Sequence, residues 1–269
     1  MKFSLATLWR RAANPRRREV ALREVKLPSM LATDLYLDAY KPIVQAWETA
    51  LPRIAAAYER SLSELTTDSP EEIGGIVSEV ENELTRVLLT VRLRLERWAR
   101  RVEAIQRQRW RGAVLSATSV DIETLVGAND VRTTLAAAIE ANVGLVRSVS
   151  DQTRDRIQAE VFQGLRERKP AREVAVAIRE KVGMGRRRAL NIASDQLVKI
   201  GAELNDERRR EAGIYTWEWL SSHKVHFRPE HAARDHKRYS DGDAPKDLPG
   251  RLPFCGCTSR AVLSLDDEF

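Results

Sequence analysis

The sequence predicts a mainly α-helical chain: a long antiparallel helical hairpin and a helical bundle, then a small C-terminal α+β module with short β-strands that bears the cysteines and histidines. Three observations predict it. Apolar residues recur at steps of three and four over most of the stretch between residues 33 and 210. Charged residues make up 31% and aromatic residues 6%, the balance of long, surface-rich helices rather than of a β-sandwich. All four histidines and both cysteines fall between Ile192 and Cys257, so the residue types that most often ligate metals or move protons share one short segment.

A chain of 269 residues can bury a real core. Four regions are expected: a basic N-terminal arm at 1–30, the hairpin at 31–127, the bundle at 128–212 and the small module at 213–269. In the arm, Met1 to Lys26 holds eight basic residues against Glu19 and Glu24, a net +6 that equals the formal charge of the whole chain. Arg10, Arg11, Arg16, Arg17 and Arg18 are the candidate contacts for an anionic partner, either DNA phosphates or an acidic protein groove. A solvated tail is the other reading of the same residues.

The first long helix is marked by Tyr36, Tyr40, Ile43, Trp47, Ala50, Ile54, Tyr58 and Leu62, with kinks expected at Pro42 and Pro52. After a polar turn at Thr66 to Asp68, Ser69-Pro70-Glu71-Glu72 opens the second. Leu84, Leu88, Val91, Leu95, Trp98, Val102 and Ile105 alternate by four and three, a heptad seam. Opposite it lies an arginine-rich face, either solvated and partly paired with neighbouring acids or turned to nucleic acid or an acidic protein surface. A bend follows between Gly112 and Gly127. Four shorter helices are then expected, opening at Asn129-Asp130, at Ser150-Asp151, at Pro170, and at Arg186, with Gly183 ending the third.

The module starts with Ile214-Tyr215-Thr216-Trp217-Glu218-Trp219-Leu220, whose alternation reads as a strand with its aromatic rings on one face. Ala261 to Leu265 is the expected pairing strand. The histidines are spaced His223-x2-His226-x4-His231-x4-His236, with Cys255-x-Cys257 downstream. Zinc takes four nitrogen or sulfur ligands, and a module poor in apolar residues gains stability from such a staple. The preferred ligand set is Cys255, Cys257 and His231 with either His226 or His236; exposed or hydrogen-bonded histidines beside two packed thiols are the alternative. Cysteines one residue apart close too small a ring for a relaxed disulfide, so a reduced pair is expected.

No stretch approaches the ~20 apolar residues that span a bilayer. The apolar patch Phe3 to Trp9 is short and precedes the arginines, unlike a secretory signal. The expectation is a protein of the bacterial or host cytoplasm.

Read in order, Ala193, Asp195 and Gln196, then Gly213, Ile214, Tyr215 and Trp217, then Arg228, Pro229 and His231, then Cys255 and Cys257, resemble the phage head morphogenesis family, the Mu F-like minor head proteins. The resemblance covers roughly the C-terminal half. It implies a non-enzymatic minor capsid protein acting in procapsid assembly and carried in the virion at low copy. Its implied partners are the portal protein, the major capsid or scaffold protein, and double-stranded DNA. Tyr215 and Trp217 would pack the module, and Arg228 would anchor its loop. A DNA-binding or metal-dependent, nuclease-like factor acting on the incoming or outgoing genome is the second reading. The segment has no paired-carboxylate site and no nucleophile on a strand-to-helix turn, which disfavours catalysis.

Overall fold

The computed structural model describes residues 2–13, 15–64, 69–225 and 227–266. The chain is mainly α with a C-terminal four-stranded sheet, as its periodicity predicts. It divides into two compact units, one of residues 1–31, 99–138 and 194–269, the other of residues 32–98 and 139–193. None of the helices searched is long and apolar enough to cross a membrane.

In the second unit, most of α2 (Met30–Leu35), a π-helical turn (Tyr36–Tyr40) and α3 (Lys41–Glu64) precede the part of α4 (Ser69–Thr118) that ends at Trp98. The expected polar turn at Thr66 to Asp68 lies outside the described residues. Polar partners show the predicted antiparallel order: Arg60 meets Glu72, Arg53 meets Glu79, and Arg94 reaches the Asp38 carbonyl. Pro42, four residues after Asp38, has no N–H to offer that carbonyl, to which Arg94 Nη1 donates at 3.2 Å. Leu84, Val91, Leu95 and Trp98 of the seam are buried, and so are Tyr40, Ile43, Trp47, Ile54 and Tyr58 of the first helix.

Helix α4 runs to Thr118, beyond the bend expected from Gly112. The four short helices are in fact two long ones, α5 (Arg132–Glu167) and α6 (Ala171–Glu211). The cap-type residues inside them serve packing. Ser150 is buried and accepts a hydrogen bond from Trp47 Nε1 at 3.4 Å. Gly185 lets α5 and α6 approach closely, since a Cβ there would lie 2.6 Å from Thr153 Oγ1.

The first unit holds α1 (Leu5–Ala13) and β1 (Glu19–Ala21), both within the stretch expected as an arm. Leu5 and Trp9 enter a core with Leu22, Trp110, Val114, Ile122, Ile214 and Leu263. Strands β2 (Thr216–Leu220), β3 (Arg238–Ser240) and β4 (Thr258–Ser264) complete an antiparallel sheet in the order β1-β4-β2-β3. A four-residue helix, α7 (Pro229–Ala232), lies between β2 and β3 in sequence.

Candidate metal centre

Alternation along β2 sets the site. Trp217 and Trp219 point to one face, where they form a small core with Cys255 and Cys257, flanked by Tyr239, Leu248 and Leu252. Tyr239 stands opposite Trp217 in the β2–β3 register, with ring centroids 5.1 Å apart. Leu220 pairs with Thr258, so the two cysteines, just ahead of β4, fall beside the end of β2 where the chain leaves for α7. Arg228 donates from Nη2 to the Pro253 carbonyl at 3.0 Å, tying the start of α7 to the cysteine loop. Pro229 at the first helical position directs the turn that carries His231 inward.

His231 is 2% exposed, and each cysteine 4%. The imidazole Nδ1 lies 3.4 Å from Cys255 Sγ and 3.7 Å from Cys257 Sγ. The three ligand atoms all lie within 4.8 Å of one another. Zinc at its usual distances from sulfur and nitrogen, with tetrahedral angles, sets N···S separations at about 3.6 Å. The observed pair brackets that value, so the nitrogen-to-sulfur spacings fit the ion. On its far side, His231 Nε2 meets Asp247 Oδ2 at 3.0 Å, and Arg234 holds the other carboxylate oxygen at 2.8 Å. A carboxylate behind a ligating imidazole fixes its ring and tautomer, leaving Nδ1 for a metal. Trp219 meets the ring edge-on at 5.0 Å.

The cysteines are reduced. The hydrogen bond from Cys257 brings the Cys255 thiol down to about 5, with further help from the backbone N–H groups of Cys257 and Gly250 and from His231. The hydrogen bond to Cys255, with burial, pushes the Cys257 thiol up. A bound divalent ion would take both sulfurs as thiolates and displace their protons.

One face of α6 seats the cysteine loop. Asp195 accepts from the Phe254 backbone N–H at 2.6 Å and pairs with Lys199 at 2.7 Å. Arg251 reaches Glu203 and Asp206, at 2.6 and 2.8 Å. Gly250 has φ +75°, and a Cβ there would lie 3.0 Å from Ala202 Cβ, so the loop lies close on the helix. Phe254, at φ 59°, is held in the left-handed region immediately before Cys255.

Of the predicted ligands, the structure brings together His231, Cys255 and Cys257. His236 is elsewhere: its Nδ1 meets Glu218 Oε1 at 2.8 Å, and its side chain is 66% exposed. His226 lies outside the described residues. Tyr215 precedes β2 and is not part of the Trp217–Trp219 core. Among the arm arginines, Arg10 donates to the Leu265 carbonyl and Arg18 pairs with Asp266, while Arg11, Arg16 and Arg17 are exposed. Asp247 and the acidic face of α6 escaped the sequence reading. Asp195 alone carried a signal, as one of the residues of the family pattern.

A protein of Haemophilus influenzae described as uncharacterized is 29% identical over 134 residues, 49% of this chain and 30% of that protein. The chain therefore spans less than a third of that relative's length. No solved structure matches. The family model described as Phage Mu protein F like protein matches residues 155–260, a span that contains His231, Cys255 and Cys257 together with the α6 face that seats them. Over residues 155–260 the chain is thus similar to the Phage Mu protein F like family.

Proposed function

We propose that this chain is a minor head protein of a tailed phage or prophage, acting in head morphogenesis and remaining with the virion. The observation that carries the reading is the family match over residues 155–260. The proposed work is adhesion between large assemblies, with no bond made or broken. Portal protein and the inner capsid or scaffold are the proposed protein partners, and exposed Arg11, Arg16 and Arg17 are the proposed contacts to packaged double-stranded DNA. The site supports a fastening role: its ligand atoms are buried among two tryptophans, His231 is backed by Asp247 with its Arg234 partner, and the cysteine loop is tied to α6 by the Arg251 ion pairs. In this reading zinc closes the C-terminal module, held by His231, Cys255 and Cys257.

The test is co-sedimentation of the purified chain with portal or procapsids at moderate salt. Retention with these assemblies is expected, and replacement of Arg11, Arg16 and Arg17 by Ala should flatten the salt dependence of DNA binding. Absence of capsid-related partners with tight, salt-sensitive DNA binding overturns the reading in favour of a factor acting on the genome. Plasmid nicking in Mg²⁺ or Mn²⁺ that His231→Ala abolishes overturns the non-enzymatic part.

A further inference from the structure

Among the described residues the metal centre has three protein ligands, and a tetrahedral ion has a fourth position. All three ligand residues line one pocket of about 320 Å³. Its other described lining residues include Ser222, Lys224, Phe227, Arg228 and Phe254, and among the described residues no carboxylate lines it. Lys224 crosses the mouth of the cysteine pair: a Cβ on Gly256 would lie 2.8 Å from Lys224 Nζ. Glycine between the two cysteines is therefore what leaves room for the ammonium. Phe227 and Phe254 stand at the pocket 55% and 62% exposed.

Charge decides what such a pocket selects. Two thiolates neutralise a divalent ion, so the charge left facing the opening is that of the Lys224 ammonium and the Arg228 guanidinium. Cations beside a metal in a partly desolvated pocket favour an anion there. The exposed phenylalanines suit an anionic group presented on an apolar stem.

We propose that a metal at His231, Cys255 and Cys257 keeps its fourth position toward this pocket and takes there an anionic oxygen ligand, a carboxylate or phosphate group, held by Lys224 and Arg228. The inference rests on the reading of the cluster as a metal centre. It makes the module a ligand-responsive contact point as well as a staple.

Cobalt(II) in place of zinc in the full-length chain reports both levels. Acetate and inorganic phosphate, added at ionic strength matched with perchlorate, are the probes. A thiolate-to-cobalt charge-transfer band, reduced in Cys255→Ser and lost when Cys257→Ser is added, is expected on metal uptake. Saturable movement of the ligand-field bands with acetate, phosphate or both is expected next, and which anion acts identifies the source. Removing one nearby positive charge in Lys224→Gln should weaken that response about tenfold. His226→Ala should keep the native spectrum and its response. Failure to take up cobalt with a charge-transfer band overturns the metal centre and this inference together. Uptake with bands that ignore both anions overturns the inference alone, as does a His226→Ala spectrum that has lost the native ligand field, which would make His226 the fourth ligand.

Discussion

Replacing His231 by Ala separates a metal staple from a well-packed histidine. Without metal, the substitution removes an edge-to-face contact with Trp219 and a hydrogen bond to Asp247. Each is worth about 1 kcal/mol, so about 2 kcal/mol is lost in chelator. With free zinc a hundredfold above its dissociation constant, the native protein gains about 2.7 kcal/mol that a site reduced to two sulfurs cannot match. The difference between the two proteins should therefore grow from about 2 kcal/mol in chelator to about 5 kcal/mol in zinc. Amide hydrogen exchange across Thr216–Leu220 and Thr258–Ser264 reads this locally, in the sheet that borders the site. Exchange in His231→Ala should be about thirtyfold faster in chelator, with a wider gap in zinc. A chelator that leaves native exchange unchanged, or that accelerates both proteins equally, would refute the staple.

Other perturbations test the body. Gly74→Ala should stabilise by about 0.5–1 kcal/mol, since nothing lies within 4 Å of the new methyl and helix propensity alone acts. Gly164→Ala should destabilise by about 1–3 kcal/mol, because its methyl would lie 2.6 Å from Val174 Cγ2 and 2.9 Å from Tyr58 Oη; denaturant midpoints of the pair should move in opposite directions. Arg208→Met should cost about 3–5 kcal/mol in the same assay, because the buried guanidinium pairs with Glu103 and Glu211, with Asp130 near, and its loss strands those acids. Burial alone would raise the Glu218 carboxyl, but hydrogen bonds from His236 and Arg260 outweigh it and hold the group below the ordinary carboxylate range. Its stabilisation is complete above that range and is lost as pH falls through the folded-state value, so Glu218→Gln should flatten the acid limb of a stability profile; an unchanged acid limb would contradict this assignment.

How far sequence reasoning reached follows from the range over which each signal acts. The period of three and four that marks Tyr40 through Tyr58 and Leu84 through Val102 is local, and it identified the helical faces that are buried. Breaks were over-read because cap residues and interior contacts use the same chemistry. Ser150 is a capping type, yet its hydroxyl takes the Trp47 indole; Gly183, expected to end a helix, lies inside α6. Strand β1 was invisible in a basic stretch because its pairing partners, Val262 to Ser264, are supplied from the far end of the chain. The centre divides in the same way. Cys255-x-Cys257 announces itself by spacing, and His231 by its place in an ordered set of residues. Asp247, behind the imidazole, and Glu203 and Asp206, under the loop, are ordinary surface-type acids in sequence. Only when β2 and β4 pair, and the loop settles on α6, do those acids acquire a cation or a ring to hold. The ligating atoms are therefore a property of short motifs, whereas their orientation is a property of the sheet and helix together. That is why the exchange experiment monitors the strands and not the histidine itself.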